Sequence, residues 1–208
     1  MRVLTWNLYH GRSRPPSGRS LLREFAAALG GWEWDVALLQ EVPPWWPPRL
    51  GPVAHTVLTS RNWIPSLQRA ISGRNPDILK SWGGGANAIL VRGLEVAETR
   101  AVRLRRLPEA RWAHGVRLAG AGWVVNVHAQ NFPEASARAD CERALAAGWG
   151  SPLVFGGDLN LKRPSFPGLV HVAGNHVDHV FADGRTGRGE VLDRGTLSDH
   201  PPVAVTLA

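Results

Sequence analysis

Gly156-Gly157-Asp158-Leu159-Asn160 follows the apolar run Leu153 to Phe155, and Ser198-Asp199-His200-Pro201-Pro202-Val203 leads into the last apolar run of the chain. Each is a short polar cluster at the end of a strand-like segment. Polar groups held at strand ends are how a rigid sheet presents chemistry to a ligand. Two more clusters lie upstream. Thr5-Trp6-Asn7 closes the first apolar run, and Gln40-Glu41-Val42 closes Val36 to Leu39. Four strand-end clusters of carboxylates, carboxamides and imidazole point to one shared site.

Outward from these clusters the chain reads mainly as strands. Arg2 to Leu8 and Val96 to Leu107 alternate, while Val36 to Leu39 and Ala88 to Val91 are continuous apolar runs, as strands buried on both faces are. Arg111 to Leu118 and Trp123 to His128 form a hairpin across Ala119-Gly120-Ala121-Gly122. Leu153 to Phe155, Val177 to Phe181 and Val203 to Leu207 complete the strands. Ser20 is placed to cap a helix with apolar positions Leu21, Leu22, Phe25, Ala26 and Leu29 and a stop at Gly30-Gly31. Pro133 to Trp149 is a second, Ala-rich helical stretch.

The five prolines of Pro43 to Pro52 exclude a regular helix or a central strand there, and Trp45 and Trp46 offer an exposed aromatic platform. Thr59 to Leu79 is the least readable segment, with helical spacing over Leu67 to Ile71 interrupted by Pro65 and Pro76. Strands outnumber helices. The pattern fits an α/β protein with a mixed sheet or two-sheet sandwich flanked by helices, rather than an all-parallel doubly wound sheet. The 208 residues suit one domain spanning 1–208.

The 24 basic against 17 acidic residues give a net charge of +7. A positive field steers phosphate-bearing substrates without specifying nucleic acid. Cys141 is the only cysteine, which excludes an internal disulfide, and its Ala-rich helical setting reads as a buried structural thiol. Met1-Arg2-Val3-Leu4 runs straight into a strand and leaves no room for a signal peptide. No apolar stretch approaches the roughly 20 residues of a membrane span. A cytoplasmic monomer is expected.

Taken singly, the polar clusters are weak signals. Glu41 alone reads as an ordinary solvated strand-end glutamate, and Asn7 as a turn asparagine. Both nevertheless carry the oxygen donors that a hard cation such as Mg²⁺ requires. Asp158 and Asn160 project to the same side if the backbone stays extended, and Gly156-Gly157 clear the approach. Asp199-His200 joins a carboxylate to an imidazole able to transfer a proton, with Ser198 placed to orient the turn. Asp178 would point into a sheet interior, which is costly without a partner, and an imidazole is its natural partner. His179 reads as structural or surface-exposed. His128 shares a strand face with Asn126 and alone reads as a core histidine; His114, His171 and His176 also read as structural, and His10 is a weak candidate for substrate contact.

The clusters occur in the order Asn, Glu, His, Asp-x-Asn, Asp, Asp-His. In that order the sequence resembles the endonuclease/exonuclease/phosphatase superfamily, the DNase I-like phosphoesterases. The matching segments are Leu4-Thr5-Trp6-Asn7, Leu38-Leu39-Gln40-Glu41-Val42, Asn87-Ala88-Ile89-Leu90, Asn126-Val127-His128, Gly156-Gly157-Asp158-Leu159-Asn160, Val177-Asp178-His179-Val180-Phe181 and Ser198-Asp199-His200-Pro201-Pro202-Val203. The resemblance implies a four-layer α/β/β/α sandwich of two packed mixed sheets and a Mg²⁺- or Mn²⁺-dependent phosphoric ester hydrolase. It implies Glu41 as principal metal ligand with Asn7 and Asp199 close by, and Asp158 and Asn160 positioning or deprotonating the attacking water. His128 would contact a phosphoryl oxygen or assist the leaving group; His200, oriented by Asp178, would be the base or a second phosphate contact.

Arg12, Arg14, Asn87 and Arg111 are the expected substrate contacts, with Arg111 or Arg117 in the place of the family's arginine. Nuclease action on DNA or RNA leads. The rivals are a phospholipid or sugar-phosphate esterase and a non-catalytic phosphate-ligand or nucleic-acid binding module on the same scaffold.

Overall fold

The computed structural model describes residues 1–60 and 65–208. The chain opens with strand β1 (Arg2–Asn7), a single 3-10 turn at Tyr9–Gly11, helix α1 (Leu22–Gly31) and strand β2 (Val36–Val42). Helix α2 (Pro47–Leu50) and strand β3 (Val53–Leu58) follow, then α3 (Pro65–Ser72) and α4 (Pro76–Leu79). A 3-10 turn at Lys80–Gly83 leads into β4 (Ala86–Val91), β5 (Val96–Arg105), β6 (Arg111–Leu118) and β7 (Gly122–His128). Helix α5 (Glu134–Leu145) precedes β8 (Leu153–Asp158), β9 (Val170–Asn175), β10 (Asp178–Ala182), β11 (Gly187–Val191) and β12 (Val203–Leu207).

These strands form two six-stranded mixed sheets, ordered β11-β12-β1-β2-β4-β3 and β5-β6-β7-β8-β10-β9. In each, one parallel pair sits among antiparallel neighbours: β1 with β2, and β7 with β8. Alternation along the central strands explains the stacking. Val3, Leu38, Ile89, Val124, Val154 and Val180 face inward and form the apolar layer between the sheets. Leu4, Trp6, Ala37 and Leu39 face the other way and pack under Phe25 and Leu29 of α1. On the far side, Val125, Val127 and Phe155 pack against Ala137, Cys141 and Ala144 of α5. The layers run α/β/β/α, and no described helix is long and apolar enough to cross a membrane.

Several local expectations need correction. Ser20 makes no cap: α1 starts after Leu21 without a side-chain capping bond, and the helix runs through Gly30-Gly31 instead of stopping before them. The Pro43–Pro52 segment holds one helical turn, α2, because Pro47 and Pro48 occupy its first positions, where a missing N–H costs nothing. Pro65 and Pro76 likewise begin helices rather than interrupt one. Within the Thr59–Leu79 segment, residues 61–64 lie outside the described residues. Strands β3, β9 and β11 were not visible in the pattern. Trp45-Trp46 is no exposed platform, since Trp46 is buried beneath Gly11 and Trp45 packs on the same core.

Inside the sandwich the apolar layer gives way, toward one end, to a chain of amides and imidazoles. Gln40 donates to Asn126 Oδ1 at 2.8 Å, and Asn126 Nδ2 donates to His114 Nε2 at 3.1 Å. His114 must then carry its proton on Nδ1 and donate it to His55 Nδ1 at 2.9 Å. Burial, and then the neighbouring His55, hold His114 well below the usual histidine range. The unfolded chain accepts a proton at His114 below about pH 6.5 that the folded chain refuses, so this contribution is intact above that pH and is lost as pH falls. Urea unfolding at pH 7 and 5.5 should show stability falling with acid, and His114→Gln should make that slope shallower by about 1 kcal/mol per pH unit.

Gly157 of β8 sits at φ 134. A Cβ there would overlap the Val127 carbonyl of the neighbouring parallel strand. Gly157→Ala is expected to cost about 2–4 kcal/mol in denaturant unfolding, combining a strained backbone with a steric clash.

Candidate active site

A cleft of about 1030 Å³ opens where β2, β7 and β8 end, and its walls include His10, Glu41, Arg111, His128, Asp158, Asn160, Asp199 and His200. Asn7 and Asp178 are buried just beneath, at the ends of β1 and β10. Both sheets contribute: Asn7, Glu41, Asp199 and His200 come from the β1/β2/β12 side, and His128, Asp158 and Asp178 from β7, β8 and β10. Two hydrogen bonds tie the halves together. Asn7 Nδ2 donates to Asp158 Oδ2 at 2.9 Å, and His200 Nδ1 meets Asp178 Oδ2 at 2.8 Å.

The turn at Ser198-Asp199-His200 is rigid for local reasons. Ser198, at φ 61, donates its hydroxyl to Asn7 O at 2.6 Å and accepts from His200 N at 3.1 Å. Trp6 Nε1 donates to His200 O at 2.9 Å, so β1 fixes the turn from below. Glu41 sits at φ 50, a left-handed conformation that breaks the β2–β4 register and turns its carboxylate into the cleft.

Hydrogen-bond partners determine the imidazole protons. Asp178 can only accept, so His200 holds a proton on Nδ1 and turns Nε2 toward the cleft, 3.8 Å from Asp199 Oδ1. Burial lowers the affinity of His200 for its second proton. The Asp178 hydrogen bond and the charges of Asp178, Asp158 and Asp199 outweigh that and carry the ring up to about 9. Arg111 Nη1 can only donate, so His128 accepts at Nδ1 (3.0 Å) and presents Nε2–H to the cleft. That N–H lies 3.6 Å from Asp158 Oδ2 and 3.8 Å from Glu41 Oε1. Burial, with Arg111, His200 and His10, holds His128 well below the usual range, so it is a neutral donor. Asp158 is raised above the ordinary carboxylate range by burial and then by Asp178, with His200 and the Asn7 hydrogen bond opposing. Burial likewise raises Asp178, and its contact with His200 pulls against that rise.

Not every expected contact arrives. Arg12 is buried against Asp77 at 3.0 Å and lies outside the cleft lining, its charge already compensated. Asn87 is wholly buried on β4, facing the other sheet, and also lies outside the lining. Arg14 pairs with Asp199 at 2.8 Å, and of the two expected arginines Arg111, not Arg117, lines the cleft, which Arg106 also lines. Asn160 and Asp158 are not matched by extended alternation, because Asn160 turns to φ 51 after β8 ends and donates to Ala129 O at 3.0 Å. Both nonetheless reach the cleft. His179 is structural and buried, with Nε2 against Leu161 O at 2.8 Å. Trp82 and Tyr9 are aromatic residues lining the cleft, with Leu107 also in the lining; Trp82 and Leu107 are both about 80% exposed. The glycine run 83–85 beside Trp82 was its only sequence signal.

Two donor sets offer themselves to a cation. Among the described residues, Asp158, Asp178 and His200 place ligand atoms within 4.8 Å of one another. Asp158 Oδ2, Asp178 Oδ2 and His200 Nδ1 are engaged in the Asn7–Asp158 and His200–Asp178 hydrogen bonds, whereas Asp178 Oδ1 is buried without a hydrogen-bond partner among the described residues. Glu41, Asp199 and Asn7 are a hard-oxygen set, and Asp199 Oδ1 is buried without a hydrogen-bond partner among the described residues. An orphaned carboxylate oxygen at a cleft wall fits a divalent cation.

A two-sheet sandwich with carboxylates and imidazole donors converging at one sheet end defines a phosphoester hydrolase. The Endonuclease/Exonuclease/phosphatase family profile matches residues 4–200, and the chain belongs to that family, whose members are generally dependent on a divalent metal. No curated protein matches the sequence. Among solved structures, the chain is similar to an endonuclease/exonuclease/phosphatase from Beutenbergia cavernae, with TM-score 0.72 and 20% identity over 100% of this chain and 71% of that one. It is also similar to a mannosyl-6-phosphatase of Bacteroides thetaiotaomicron (TM-score 0.70, 14% identity, covering 100% and 99%). A third is D. rerio TDP2 complexed with single strand DNA product (TM-score 0.70, 13% identity, covering 100% and 98%). At these identities the likeness is one of fold.

Proposed function

We propose that this protein is a Mg²⁺- or Mn²⁺-dependent phosphoesterase of nuclease type, hydrolysing a phosphodiester by in-line attack of water. The observation that carries this reading is the convergence of the Asp178–His200 pair, Asp158, His128, Glu41 and Asp199 on one cleft. Glu41, Asn7 and Asp199 would hold the cation, which when bound supplies charge to the phosphoryl oxygens and acidifies water. Asp158, with its raised proton affinity, takes the proton of the attacking water, and Asn160 helps position it. His128 donates its Nε2–H to a phosphoryl oxygen, and His200, held by Asp178, supplies positive charge to another. Preorganised donors of this kind act without reorganising at the moment of reaction.

Nucleic acid is favoured by a roomy cleft with Trp82, Leu107 and Arg106 on its walls. An unpaired base can stack on Trp82. A small phosphate monoester is the second reading, favoured because Arg12, Arg14 and Arg19 spend their charge on Asp77, Asp199 and Glu24. Turnover of bis-p-nitrophenyl phosphate, p-nitrophenyl phosphate, plasmid and single-stranded DNA with Mg²⁺ or Mn²⁺ tests both. Failure on every substrate by folded protein overturns the enzymatic reading. Trp82→Ala should raise KM for single-stranded DNA about tenfold, the loss of one stacked base, and leave p-nitrophenyl phosphate kinetics unchanged. We place its action in the cytoplasm, since a single buried cysteine calls for no oxidising compartment.

A further inference from the structure

We infer that His10 is a nitrogen ligand of the cation held by Glu41, so that the site prefers a first-row divalent transition ion, Mn²⁺ foremost, over Mg²⁺. The inference rests on the metal-dependent reading above and adds a donor to it. His10 lies in the 3-10 turn after β1, with φ 55 and ψ 29, a left-handed conformation that is uncommon outside glycine but more open to histidine than to most residues. Two contacts orient its ring. Nδ1 lies 3.2 Å from Gly84 O, and a carbonyl only accepts, so the proton sits on Nδ1. In the neutral ring the lone pair is then on Nε2, which faces Glu41 Oε2 at 3.2 Å.

A lone pair aimed at a carboxylate oxygen is repulsive unless a positive charge lies between or beside them. With metal–ligand bonds of about 2.1 Å, adjacent corners of an octahedron are about 3.0 Å apart, so the observed spacing is close to that of two neighbouring ligands on one ion. His10 and Glu41 both line the cleft, and both depend on positive φ to meet. Gly85 lies beside the ring, where an added Cβ would come within ordinary contact distance of His10 Cε1. The carbonyl of Gly84 thus orients His10 as an outer partner orients a metal-bound imidazole. His128 cannot take this part, because Arg111 occupies its Nδ1 and leaves a proton on Nε2. Imidazole nitrogen raises affinity for transition ions, whereas Mg²⁺ keeps to oxygen.

The competing explanation is a plain His10–Glu41 ion pair, which would compete with the cation. Mn²⁺ binding followed by electron paramagnetic resonance separates the two. The bound ion in the wild-type protein should show ¹⁴N coupling in pulsed spectra. His10→Ala and His10→Gln should lose it, with Mn²⁺ affinity weakened at least tenfold while calorimetric Mg²⁺ affinity changes less than threefold. His200→Gln and His128→Gln should both retain the coupling, which leaves His10 as the nitrogen donor even if neither His10 variant folds. Bound Mn²⁺ with no ¹⁴N coupling, coupling that survives loss of His10, or tighter Mn²⁺ binding in His10→Ala overturns this inference and leaves the phosphoesterase reading standing. Mn²⁺ that binds Glu41→Gln equally well overturns this inference and moves the cation to Asp158, Asp178 and His200; Mn²⁺ that fails to bind the wild type overturns both readings.

Discussion

Glu41→Gln is expected to lower metal-stimulated kcat/KM at least 10³-fold, on aryl phosphodiesters and DNA alike, while the folded protein remains. A thousandfold loss corresponds to about 4 kcal/mol of transition-state stabilisation, the scale on which a cation acts at a transferring phosphoryl group. Glutamine keeps the shape of the side chain, and Glu41 is partly exposed, its carboxylate meeting His10 and His128. Chemical denaturation should therefore shift by less than about 1 kcal/mol. Steady-state kinetics over a Mg²⁺ and Mn²⁺ series, beside a urea melt, makes the comparison. Turnover undiminished in the variant would move the cation to Asp158, Asp178 and His200, the other donor set. Unchanged phosphate-ligand binding together with no turnover in either protein would favour a binding module.

Asp178→Asn is expected to reduce kcat by 10²–10⁴-fold with KM nearly unchanged, the range seen when the carboxylate behind a catalytic imidazole becomes an amide. Asp178 touches the reaction only through His200, so it is a positioning residue. Its loss frees the ring to turn and removes the main charge that keeps it protonated. The sharper measurement is the double variant: Asp178→Asn with His200→Gln should be no slower than His200→Gln alone, because the two act as one unit. Multiplying losses would mean that Asp178 and His200 work independently. A second readout separates positioning from mere packing. The Nδ1 proton of His200, bound at 2.8 Å to a carboxylate, should give a strongly downfield proton resonance in the wild type that disappears in Asp178→Asn.

The amino-acid pattern revealed most of the central architecture, and the reason is periodicity. Strands β1, β2, β4, β7 and β8 are buried on both faces and so are rich in apolar residues, with continuous runs in β2 and β4. Edge and outer strands β3, β9 and β11 hold no buried residue, and the scattered apolar residues of β3 and β9 form no continuous run. The polar residues that end the central strands were legible because a buried strand that stops on Asn7, Asp158 or His128 needs a reason to do so. The pairing of Asp178 with an imidazole followed from the cost of a buried lone carboxylate, and His200 fills that place. What pattern could not supply was rotation about backbone bonds. Tyr9, His10, Glu41 and Asn160 all lie at positive φ, where alternation no longer says which way a side chain faces. Hence Asn160's route to the cleft was misread and His10 was undervalued. Charge was misread for a different reason: an arginine's local sequence does not show Asp77 waiting for Arg12, 65 residues away.

The seam between the sheets is also the line along which the chemistry is divided. Asn7 to Asp158 and His200 to Asp178 are stitches across it, and neither sheet owns a complete set of reacting groups. Turnover is therefore a gauge of how the two slabs are seated. A shaved methyl at Ile89 or Val180, deep in the apolar layer and remote from any phosphate, should slow the reaction by misaligning the slabs while spectroscopic signatures of secondary structure stay the same.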